Sequence, residues 1–144
     1  MTEVEILTIQ GLSNQSTGIY FVGMAFSIWV SFRVSSVVSQ RTPDNVVMKA
    51  IASAFGICTV YYFNLVQSFY AYNMELTGHR LISLKAEGGE VSQASLNFAE
   101  NIGAGTTAPQ FSLIPSDPVQ YIFMAAVLAI ILLPLWVPQQ DGNQ

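Results

Sequence analysis

The sequence predicts an all-α membrane protein with three transmembrane helices, a helical hairpin plus a third span, and a polar loop over 74–117 between helices 2 and 3. Three observations carry that prediction. Charged residues are 10% of the 144, against about 25% in an ordinary soluble domain, too few to coat a water-facing surface. Three apolar runs are each long enough to cross a bilayer. The first of them carries Gly23, Ser27, Ser31, Ser35 and Ser39 at intervals of four. On a helix that spacing builds one narrow stripe of small residues against which another helix can close.

The chain opens with an acidic tail, 1–17, in which Glu3 and Glu5 are the only charges. Val4, Ile6, Leu7 and Ile9 suit a brief surface helix ended by Gly11, and the tail reads equally well as a partly ordered polar segment. The first span is 18–39. Its apolar run from Gly18 to Val38 makes about 31 Å of helix, close to a hydrocarbon core of about 30 Å, with Ser16 or Thr17 as N-cap. Arg33 sits near its far end, where the long side chain can reach the headgroups. Pro43 then closes the helix in a tight turn, and Asp44 or Asn45 caps the next.

The second span is 46–73. It repeats the four-residue stripe as Ala52, Gly56, Val60, Asn64 and Ser68, so the two stripes are the expected contact faces of the hairpin. Asn64, Gln67 and Tyr61 are its intramembrane polar groups, read as interhelical hydrogen-bonding residues. Arg33, Lys49, Tyr70, Tyr72 and Trp136 are expected to anchor the spans at the membrane interfaces.

In 74–117, Gly78 reads as the stop of the second helix. Glu87-Gly88-Gly89-Glu90 suits a β-hairpin turn, and 93–100 suits a short helix equally well. Gly103 to Pro109 has linker composition. The third span, 118–137, opens with Asp117 as N-cap and Pro118 at the first helical position. It has no charge, offers Ala125 and Ala129 as a small contact, and meets Pro134, which kinks or ends it. A short polar tail, 138–144, follows.

Charge limits the partners. Nine acids against five bases give a net charge of −4, with no basic patch for nucleic acid. Three of the five bases, Arg33, Arg41 and Lys49, flank the first turn. The positive-inside rule therefore puts that turn and the C-terminus in the cytoplasm, and the N-terminus and the 74–117 loop outside, in a multi-pass protein of a bacterial inner membrane.

No catalytic residue, cofactor or metal is expected. The single histidine, His79, has only Glu75 near it at ligand spacing, and one pair is not a metal site. The single cysteine, Cys58, leaves no disulfide or CxxC motif and reads as a packed apolar residue. No paired carboxylates occur within a span, so a proton relay is missing.

The expected function is that of a structural or accessory subunit, held by its small-residue stripes in an oligomer or larger membrane complex. Its partners are the lipid bilayer and either copies of itself or other membrane subunits. Two alternatives use other features. One is a homo-oligomeric channel lined by Ser27, Ser31 and Ser35, with Arg33 near its mouth. The other is a quinone- or cofactor-binding protein using Tyr61, Tyr62, Asn64 and His79.

Overall fold

The structure is a computed structural model and describes residues 1–137; the expected 138–144 tail lies outside them. Among the described residues four helices follow in order: α1 (Glu3–Arg41), α2 (Val46–Ala86), α3 (Gln93–Asn101) and α4 (Pro118–Trp136). No strand occurs among the described residues. Helices α1, α2 and α4 are long and apolar enough to cross a membrane.

Helix α1 starts well before the expected span. Thr2 and Glu5 form a capping box: the Glu5 N–H donates to Thr2 Oγ1 at 3.3 Å, and the Thr2 N–H donates to Glu5 Oε2 at 2.8 Å. These bonds satisfy end groups that would otherwise fray the first turn. Gly11 and Gly18 each cost a helix roughly 1 kcal/mol, but no proline or turn stops it before Arg41. Thr17 is not a cap. Its hydroxyl donates back to the Ser13 carbonyl at 2.8 Å, as a mid-helix threonine does. Residues 3–17 of the expected tail are thus the first part of α1.

Helix α2 is capped by Asn45, whose Oδ1 accepts the Met48 N–H at 3.1 Å. It runs through Gly78 to Ala86 and stops at Gly88, φ +84°. There the Gly89 N–H bonds to the Leu84 carbonyl at 2.9 Å and the Gly88 N–H to the Lys85 carbonyl at 3.1 Å. This pair of reversed bonds is the Schellman motif, which needs a left-handed residue. The Glu87–Glu90 segment is therefore a helix stop and not a hairpin turn. The same device ends α3: Gly103 has φ +68°, and the Ala104 N–H reaches the Ala99 carbonyl at 2.9 Å. Helix α4 begins at Asp117, whose Oδ1 accepts the Val119 N–H at 2.9 Å, with Pro118 in its first turn. Pro134 lies inside α4 and does not end it.

The described residues form two compact units, Met1–Tyr20 with Leu65–Ile114, and Phe21–Asn64 with 115–137. In the first unit Ile6, Leu81 and Ala99 are buried. Phe111 lies between Phe69 and Tyr72, at centroid distances of 4.7 and 6.0 Å. In the second unit, Ile28 of α1, Val60 of α2 and Val127 and Ile131 of α4 form the main apolar cluster. Val38, Ala52 and Leu135 form a smaller one.

Candidate helix-packing site

The centre of the second unit is Ile131. Its side chain is fully buried, and two small residues make room for it. At Gly56 of α2, a Cβ would fall 2.6 Å from Ile131 Cγ2, nearer than any real side-chain contact. At Ser35 of α1, the hydroxyl donates to the Ile131 main-chain carbonyl. One turn earlier on α1, Ser31 Oγ donates to the Ser27 carbonyl at 2.8 Å and lies 3.2 Å from Thr59 Oγ1 of α2. Thr59 in turn donates to the Phe55 carbonyl at 2.9 Å. Every hydroxyl in this buried set is satisfied, which an apolar surrounding demands.

The two stripes are therefore joined differently from the expectation. They do not close only on each other; α4 lies against both. Its buried ridge is Val127, Ile131 and Leu135, one turn apart, while Ala125 is exposed and Ala129 half-buried. The physical reason is complementarity of shape. Small residues on two neighbouring helices leave a groove, and a branched side chain fills a groove that a third small residue would leave empty.

Of the eight expected packing residues, Ser31, Ser35, Ala52, Gly56 and Ser68 are buried. Ser27 and Asn64 are half-buried. Gly23 is exposed, with no atom within 4 Å of where its Cβ would be. Asn64 Oδ1 accepts from Gln120 Nε2 of α4 at 2.8 Å, an interhelical amide pair. Tyr61 is exposed and stacks edge-on against Tyr62, centroids 5.6 Å apart. Gln67 is half-buried.

Among the anchors, Lys49 and Trp136 meet. The ammonium lies 5.8 Å from the indole centroid, within cation–π range. The indole N–H donates to Ser53 Oγ at 2.9 Å, so α4's last turn is tied to the first part of α2. Arg33 is exposed, Tyr70 half-buried, and Tyr72 packs on Phe111.

The first unit has its own close approach. At Gly78 a Cβ would fall 2.6 Å from Ala104 Cβ and 2.8 Å from Ile102 Cδ1. Gly78 is a contact point for the chain leaving α3, not the end of α2. Next to it, the His79 ring Nδ1 lies 3.0 Å from the Gly105 carbonyl, which requires the proton on Nδ1. Glu3 binds the start of α3. Its carboxylate accepts from Ser92 Oγ and Ser95 Oγ, each at 2.6 Å, and from the Ser92 N–H at 2.9 Å. These bonds, that of the Ser92 hydroxyl foremost, hold the Glu3 carboxyl below its ordinary pKa. The N-terminal pole of α3 adds to the attraction.

Among the described residues, no three His, Cys, Asp or Glu side chains gather as metal ligands would. No family model, curated protein or solved structure matches this chain.

Sequence reasoning missed Thr2 and Glu5, although Thr-x-x-Glu before an apolar run is a helix-start signal. It also missed Thr59, Gln120 and Ile131. Thr59 stands three residues beyond Gly56, on the same helix face, and was within reach of a stricter spacing argument. Nothing in the all-apolar α4 singles out Ile131.

Proposed function

We propose that this chain is a small integral membrane protein that serves as a structural or accessory subunit, assembling with copies of itself or with other membrane subunits. The observation that carries the reading is the division of the α1 stripe. Its later part, Ser31 and Ser35, is consumed inside the chain. At Gly23 the same stripe meets open space, flanked by the exposed Ile19, Val22 and Phe26. A small residue among bulky apolar ones is where a helix of another chain can approach closely. The reading also includes a bacterial inner membrane, with the 74–117 segment outside and the turn between α1 and α2 inside, supported by Arg33, Arg41 and Lys49 around that turn.

The channel alternative loses support from the same geometry. Ser31 and Ser35 are each 1% exposed and donate their hydroxyl protons to carbonyls of α1 and α4, so they do not form an open polar wall. The cofactor alternative has no observation that favours it: Asn64 is paired with Gln120, and Tyr61 with Tyr62.

The test is the native mass of the particle after gentle detergent extraction, with every co-purifying chain identified, before and after Gly23→Leu. The expected result is a defined assembly that the substitution dissociates into folded single chains. A particle that is a lone chain from the start, or an assembly that Gly23→Leu leaves intact, overturns the reading.

A further inference from the structure

A cleft of about 200 Å³ lies in the first unit, lined by Met1 and Ile6 on one side and by His79, Arg80, Ser83, Leu84 and Glu87 of α2 and its C-terminal stop on the other. On α2, Arg80 and Ser83 stand three residues apart, which places them on one face of the helix. Neither side chain is engaged by another group among the described residues. His79 is: its Nδ1 is held by the Gly105 carbonyl at 3.0 Å, which fixes the ring and leaves Nε2 uncommitted. The cleft thus offers a guanidinium and a hydroxyl, both able to donate, beside a ring already oriented by the backbone. Ile6 and Leu84 supply an apolar wall.

We propose that this cleft binds a phosphate-bearing anion, with the Arg80 guanidinium and the Ser83 hydroxyl donating to the phosphate oxygens. A guanidinium is suited to this because its planar fork meets two oxygens at once. Glu87 lies in the same cleft and opposes the anion, so its charge weakens binding while that of Arg80 drives it. The phosphate can belong to a lipid headgroup, with Ile6 and Leu84 against its carbon chain, or to a soluble phosphate ester.

His79 is the only histidine in the chain, so its ring gives a resonance that needs no assignment. The experiment follows that resonance in the full-length protein in maltoside micelles at fixed pH, titrating inorganic phosphate in one arm and phosphatidylglycerol doped into the micelles in the other. The expected result is a saturable shift in at least one arm. Arg80→Gln should weaken it roughly ten-fold, the loss expected for one charge-assisted hydrogen bond, and Glu87→Gln should strengthen it. Saturation by phosphate alone assigns a soluble ester, and saturation by the lipid alone assigns a headgroup. Lys85→Gln, the same charge change at an exposed residue outside the cleft, should leave the curve in place. If Arg80→Gln loses the parent's helical spectrum, Ser83→Ala replaces it, with a loss of about three-fold expected. No shift in either arm, or equal effects of Arg80→Gln and Lys85→Gln, overturns the proposal.

Discussion

At the scale of single residues, the two glycines of the expected packing stripes have opposite roles. Gly56 is indispensable to its own chain, because Ile131 fills the space a Cβ would take and is itself too enclosed to retreat. Gly56→Ala should destabilise the folded chain by about 1–3 kcal/mol, the usual cost of overpacking. Gly23→Ala should instead be neutral or stabilising by up to about 1 kcal/mol, since alanine is the better helix former. Reversible unfolding in mixed micelles, read by circular dichroism, checks both, and equal effects at the two sites would contradict the assignment of Ile131 to Gly56. The four-residue spacing made both glycines legible as small contact points. It could not separate them, because spacing along one helix does not say how far a partner helix extends. Gly78 was misread for a related reason. A glycine late in a helix signals a stop, unless another backbone needs to pass there.

At the scale of elements, the starts of α2 and α4 were legible, while the start of α1 and the end of α2 were not. Asp117-Pro118 is a local chemical signal, complete within three residues. The stops at Gly88 and Gly103 are equally local, but each glycine stands beside others of similar composition, and a hairpin turn uses the same residues. What joins elements was least legible. Glu3 binds Ser92 and Ser95 across some ninety positions of chain, and no pattern in the sequence links them. This contact has a definite pH dependence. The Glu3 carboxyl is held below its ordinary value, so the folded state prefers the charged form. That preference contributes its full stability above the ordinary glutamate value of about 4.3, and it is lost as the pH falls through the lower folded-state value. The protection factors of the α3 amides, with the intrinsic pH dependence of exchange divided out, should therefore fall on acidification below about pH 4.3. In Glu3→Gln they should be lower at neutral pH and lack that acid step. An unchanged acid step in the variant would assign the titration to another group.

At the scale of the whole molecule, the low charge content and the long apolar runs made three long apolar helices legible. Three helices apolar enough to span a membrane follow from the same runs that the hydropathy of the sequence marks out. Orientation rests on the placement of a few bases, and it is open to direct measurement. With Cys58→Ser removing the only thiol, a cysteine at Ser112 should react with a membrane-impermeant maleimide in intact cells. One at Thr42 should react only after the membrane is opened. The reverse pattern would invert the topology while leaving the helix packing unchanged.

The position of Ile131 also sets a timetable for synthesis. The ribosome completes the groove between Ser35 and Gly56 long before it adds the side chain that fills it. The gap from Gly56 to Ile131 is 75 residues of further translation (131 − 56), or about 4–15 s at about 5–20 residues per second. On the proposed membrane reading, the newborn hairpin presents an unfilled seam to the bilayer for that interval, and acyl chains or a helix from a neighbouring nascent chain compete for it. α4 must displace whatever has entered. A chain released before Pro118 lacks the side chain that fills the seam.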